Sequence, residues 1–187
     1  MAIMQELEID GHHIGVLFSA AEIAQRIAEI AKAIAQRRPE RLLVVPILKG
    51  SFVFAADLIR AMHHAGLSPE IDFMILASYR AATKSSGRVE VLRDIEQDVK
   101  DRHVLLIDDI LESGRTLAFA KDLIAARGAK EVLTAVLLNK PGHLAAHIAA
   151  DFQGFVCPDT FVVGYGMDMA HQFRELPFVG HVLNAGA

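Results

Sequence analysis

Two carboxylates, Asp108 and Asp109, stand together at the end of an apolar run, Val104-Leu-Leu-Ile107. A run without a polar break suits a strand buried on both faces. Buried unpaired acids cost several kcal/mol, so the pair is expected where the strand leaves the core. Glu112-Ser-Gly-Arg-Thr116 comes next, then a helical pattern through Leu117, Leu123 and Ile124 to Gly128. Gly114 permits a tight turn with φ > 0. The free N–H groups of the new helix point back into that turn, beside the Ser113 and Thr116 hydroxyls. Oriented donors, a positive helix end and an absence of side-chain bulk make a phosphate cradle. The adjacent acid pair could accept from a vicinal diol. A phosphate site beside a diol site describes a ribose 5-phosphate.

Other chemistry-bearing residues are weaker signals alone. Lys49-Gly50-Ser51 reads either as an anion loop or as a simple surface turn. Lys140 follows an apolar run, where a lone lysine is usually just solvated. Phe161, taken singly, is more often core than a platform for a flat ring. Gly164 and Gly166 allow close backbone approach. His143 and His147 have the i,i+4 spacing that can place two imidazoles on one helix face, but no third ligand completes a zinc site. His12-His13 and His63-His64 read as solvated pairs.

The elements that must position these groups follow from periodicity. Ser19-Ala-Ala-Glu22 reads as a capping box, and Ile23, Ile27, Ile30 and Ile34 recur at helical spacing up to Arg37-Arg38-Pro39. Leu42 to Leu48 reads as a strand with Pro46 near its end, because proline cannot donate to a ladder. Phe52, Ala55, Leu58, Ile59 and Met62 mark a helix. Ile71 to Ala77 reads as a strand. A polar stretch from Ser78-Tyr79 to Gly87 then precedes the strand-like Val89 to Leu92. So long a polar excursion is often a mobile lid, or else a passive hairpin loop. Glu131 to Leu138 and Phe161 to Val163 complete the strands. This order predicts an α/β fold, a mainly parallel central sheet flanked by helices. Ligands of such sheets sit at the C-terminal strand ends, where both glycine-bearing loops should converge.

Val104 to Leu117 resembles the phosphoribosyl pyrophosphate (PRPP) signature of type I phosphoribosyltransferases: apolar strand, two acids, two apolar residues, then acid-Ser/Thr-Gly-x-Thr. Pro158-Asp-Thr-Phe161-Val-Val-Gly-Tyr-Gly-Met-Asp168, with Phe173-Arg174-Glu-Leu-Pro177, is similar to the purine end of the hypoxanthine–guanine members. The resemblance covers roughly residues 40 to 180. It implies one domain over 1–187, a hood from the terminal segments, and transfer of the phosphoribosyl group to a 6-oxopurine. It implies PRPP binding by Lys49, Gly50, Asp108, Asp109, Glu112, Ser113, Gly114, Arg115 and Thr116, and allows a cis peptide before Lys49. Lys140, Phe161 and Val162 would meet the purine, and Asp168 would bind Mg2+. Glu112 and Arg174 would be catalytic, the first for a purine proton, the second facing pyrophosphate. Ser78-Tyr79 would belong to a flexible loop closing over the site. Two departures stand out: Glu112 where most relatives carry aspartate, and Gly142-His143-Leu144 where many have an arginine. Relatives form dimers and tetramers, so a homo-oligomer is implied.

The totals agree. A length of 187 residues and 52% hydrophobic content suit one folded domain with a sizeable core. No apolar run approaches a membrane span, and the acidic N-terminus does not read as a secretory signal. The only cysteine is Cys157, which leaves no internal disulfide and fits a reducing cytoplasm. A net charge of −4 disfavours a nucleic-acid partner, and with it the alternative of a PRPP-binding regulator of DNA or RNA. Within enzymes the alternative is a transferase for xanthine.

Overall fold

A computed structural model describes residues 6–78 and 89–183. Two strands, β1 (Glu6–Ile9) and β2 (His12–Phe18), lead into helix α1 (Ala20–Gln36). The capping box is present: the Ser19 hydroxyl accepts from Glu22 N at 3.3 Å, and the Glu22 carboxylate accepts from Ser19 N at 2.8 Å. Next come β3 (Leu43–Leu48), α2 (Phe52–His64), β4 (Glu70–Ile71), β5 (Met74–Ser78) and β6 (Val89–Arg93). Strand β7 (His103–Leu111), helix α3 (Arg115–Ala126), β8 (Glu131–Asn139), β9 (Phe152–Val156), β10 (Val162–Val163) and β11 (Val179–Val182) follow.

The central sheet runs β6-β5-β3-β7-β8-β9, with β4 beside the start of β3. It is parallel apart from β6. Alternate residues of its middle strands serve opposite cores. Val44, Leu105, Ile107 and Leu133 pack with α1 and α2 on one face. Leu43, Val45, Val104, Leu106 and Val132 pack with Leu117, Ala120 and Ile124 of α3 on the other. That two-sided burial explains the unbroken apolar runs. Both terminal segments build a second, antiparallel sheet, β1-β2-β11-β10, over a small core of Ile14, Val163, Phe173, Leu176 and Val182.

Four expectations are corrected. Pro46 lies within β3, not near its end, and β3 is a central strand. Leu42 O and Val44 O accept from Glu70 N and Asp72 N, both at 3.0 Å, so the even-numbered residues face β4. The Pro46 nitrogen therefore faces the break at Asp72–Phe73, where no ladder partner is needed. The single strand expected over Ile71 to Ala77 is split at that break, because the Asp72 carboxylate turns to accept the N–H groups of Phe73, Glu96 and Gln97. Finally, His143 and His147 do not share a helix face. Pro141–His143 is one 3-10 turn and the chain beyond it is irregular. His12 is also not simply solvated; its ring meets Phe173 edge-on, with centroids 5.5 Å apart.

Candidate active site

The C-terminal ends of β3 and β7 and the first turn of α3 enclose a cleft of about 270 Å³. Lys49, Gly50, Asp108, Asp109, Glu112, Ser113, Gly114 and Thr116 line it together. Arg115 is not in the lining; its side chain is exposed at the start of α3.

Strand β7 continues through the two acids to Leu111, so Asp108 is buried at 9% exposure instead of leaving the core. Burial pushes the Asp108 carboxyl well above the usual range, and the neighbouring Asp109 charge pushes it further. Burial also raises Asp109, against the lowering effect of its hydrogen bonds and of the Arg174 charge. Backbone groups orient both: Asp109 N donates to Asp108 Oδ1 at 3.0 Å and Ile110 N to Asp109 Oδ1 at 2.9 Å. Protonation, or donors from a ligand in the cleft, would offset that cost.

The Leu48–Lys49 peptide is cis. Ser51 pins the end of this loop by donating its hydroxyl to Ile47 O at 2.6 Å. Gly50 is wedged between two close neighbours. A Cβ there would overlap the Asp109 carboxylate, and a Cβ on Gly166 would overlap Gly50 O.

Gly114 begins α3 with φ +74, as the turn requires. Its missing side chain does not clear the cradle, however. A Cβ there would lie 2.7 Å from Ile148 Cγ2 and 3.4 Å from Leu144 Cδ2, in the segment behind the loop.

Just beyond β8, Lys140 is 7% exposed, and its backbone N–H donates to Leu111 O at 2.8 Å. Its Nζ donates to Thr160 O at 2.7 Å and lies 3.5 Å from Glu112 Oε1. Cys157 lies close to this pair, and burial pushes its thiol up. Phe161 is 50% exposed, so it is not a core residue, whereas Val162 is buried opposite His181 of the hood. Asp168 and Arg174 form an ion pair of 2.7 Å, and Arg174 Nη1 donates to Gly166 O at 2.6 Å. Ser78 ends β5, and Tyr79 with the polar stretch after it lies outside the described residues.

Two features were missed from sequence. Tyr165, at φ +51 inside the second signature, donates its hydroxyl to Asp57 of α2 and so braces the Gly164–Gly166 turn. Its position between two glycines was the available signal. The second is the contact of Leu144 and Ile148 with the turn at Gly114, which nothing local announces.

Residues 14–170 match the family model of the phosphoribosyl transferase domain. The chain is 37% identical over 175 residues to hypoxanthine phosphoribosyltransferase of Escherichia coli strain K12, covering 92% of this chain and 97% of that protein. Its identity to hypoxanthine-guanine phosphoribosyltransferase of Bacillus subtilis strain 168 is 40% over 166 residues, covering 88% and 91%. The crystal structure of a hypoxanthine phosphoribosyltransferase from Staphylococcus aureus matches with a TM-score of 0.84 at 35% identity, over 90% of this chain and 91% of that one. The fold is that of type I phosphoribosyltransferases, and the chain belongs to the phosphoribosyl transferase domain family, in its hypoxanthine–guanine branch.

Proposed function

We propose that the protein transfers the 5-phosphoribosyl group of PRPP to hypoxanthine or guanine, giving the nucleoside monophosphate and pyrophosphate. The observation that carries this reading is the single cleft joining Asp108, Asp109 and the Ser113–Thr116 turn, with Glu112 reaching across to the buried Lys140. The 5-phosphate takes the cradle at the start of α3, and the ribose diol donates to the acid pair. Phe161 stacks on the base beside the Val162 backbone. Lys140 transfers its hydrogen bond from Thr160 O to the purine O6. The purine N9 bonds to C1′ as the C1′–O bond to pyrophosphate breaks, and the leaving oxygen takes the electron pair. The ribose passes through an oxocarbenium-like state. Glu112 receives the proton from N7 and releases it to solvent. Gly50 backbone and the Lys49 and Arg174 cations receive the departing pyrophosphate.

The donor set suits a magnesium ion shared with substrate. No cluster of three or more metal-binding side chains occurs among the described residues, while Asp168 offers one oxygen donor beside the pyrophosphate loop. Mg2+ keeps several waters and takes one or two carboxylates plus substrate phosphates. When bound, it would neutralise charge on the leaving group. The same reading makes the protein a cytoplasmic homo-oligomer, dimer or tetramer, of one domain; the lone Cys157 supports a reducing compartment.

The test is a steady-state assay with PRPP, Mg2+ and hypoxanthine, guanine, xanthine or adenine in turn. Turnover of hypoxanthine or guanine is expected. No turnover with either, or preference for xanthine, would overturn this reading.

A further inference from the structure

Between β8 and β9 the chain makes no crossover helix. Residues 140–151 instead run as a strap along the back of the phosphate loop. The strap is tethered at two places. Lys140 and His143 hold it to the base side, through Thr160 O at 2.7 Å and Asp159 Oδ1 at 2.8 Å. On the phosphate side, Ala145 N and Ala146 N both donate to Ser113 O, at 2.9 and 3.2 Å. Ile148 and Leu144 crowd the space that a Cβ on Gly114 would enter.

The two bonds to one carbonyl have a geometric consequence. The Ser113–Gly114 peptide is trans, so its C=O and N–H point in opposite directions. With the carbonyl held toward the strap, the Gly114 N–H is held toward the cleft. A two-fold-bonded carbonyl also resists the peptide flip that φ > 0 at glycine would otherwise allow. We propose that Ala145 and Ala146 are positioning residues that aim the Gly114 N–H at the 5-phosphate, with Ile148 and Leu144 as the apolar stop behind it. This rests on the phosphate-cradle reading above. It also explains why the loop needs glycine: the strap occupies the volume a side chain would take.

The experiment compares affinities for inosine 5′-phosphate and inosine, which differ only in the phosphate. Ala145→Pro removes the 2.9 Å donor, and Leu144 at φ −61, ψ 118 already has the extended conformation that precedes proline. Ala145→Gly keeps the donor and serves as the control. Ile148→Ala loosens the stop without touching the backbone, and carries the test if the proline variant does not fold. The nucleotide-over-nucleoside preference should fall about tenfold in Ala145→Pro, and in the same direction in Ile148→Ala, as expected for one misaimed charge-assisted bond. Inosine affinity and the Ala145→Gly preference should stay within twofold of wild type. Full preference kept in Ile148→Ala and in any folded Ala145→Pro would overturn the role of the strap. Equal wild-type affinities for the two ligands would overturn the cradle itself, and this proposal with it.

Discussion

The Asp109 carboxylate lies directly against the α-carbon of Gly50, so that no side chain fits at position 50 while the acid keeps its place. The residues proposed to take the diol and the pyrophosphate therefore meet at one wall. Gly50→Ala is expected to push Asp109 aside and raise the PRPP KM by more than about tenfold, with a smaller effect on the purine KM, because the loss is local to binding groups. Initial rates with either substrate varied would check this, and equal rises in both KM values would refute it.

The acid pair carries a stability cost with a definite sign. In the folded protein burial favours the protonated pair, whereas an unfolded chain ionises it near pH 4. The native state thus binds more protons over that window, and stability falls as pH rises through it. Asp108→Asn should raise the Tm of the ligand-free protein at pH 7.5, by about 2–4 °C for each kcal/mol relieved. The gain should shrink toward pH 4, and PRPP binding should weaken. Thermal melts at both pH values decide the matter: an unchanged or lower Tm at pH 7.5 counts against it.

Glu112 stands 3.5 Å from Lys140, so its longer side chain reaches from the turn before α3 to the residue that follows β8. Glu112→Gln should keep magnesium–PRPP binding and lower kcat by about 10²–10⁴, or about 3–5 kcal/mol of barrier. Single-turnover rates are the proper readout, since product release can mask chemistry. A variant within threefold of wild type would remove Glu112 from the proton transfer.

Base choice should follow from Lys140. A buried ammonium donates only, and in the ligand-free protein it already has the Thr160 carbonyl. In the proposed site a 6-oxopurine would replace that acceptor, while adenine would present an amino group to a cation. Discrimination of about 10⁴ or more in kcat/KM is expected. Competition between adenine and hypoxanthine would measure it, and comparable turnover would show that Lys140 does not read the base.

What was legible from sequence was contiguous. The run from Val104 to Thr116 carries its own strand, acids, turn and helix start, and the structure keeps them in that order. The capping box at Ser19 is similarly local. Features set by a distant neighbour were hidden. Pro46 is tolerated because of a break in the next strand, and Gly114 answers to Ile148. The spacing of His143 and His147 fits a helix, but Ser113 O takes the Ala145 and Ala146 N–H groups that a helix would need. Lys140 reads as a solvated lysine until Thr160 and Glu112 are brought to it.

The break opposite Pro46 should divide the sheet into cooperative units. Beyond it, among the described residues, the paired strands β5 and β6 are joined to the β3 ladder where Ile47 faces Met74 and Leu48 faces Ile75. Proline ensures that no ladder bond bridges the gap. The pair can thus open as a foldon of its own while β3, β7 and β8 stay zipped. In native-state hydrogen exchange, the β5 and β6 amides should share one opening free energy, lower than that of β7 and β8. A PRPP analogue would raise it only if substrate reaches that pair, so the exchange pattern reports whether binding is felt past the perforation.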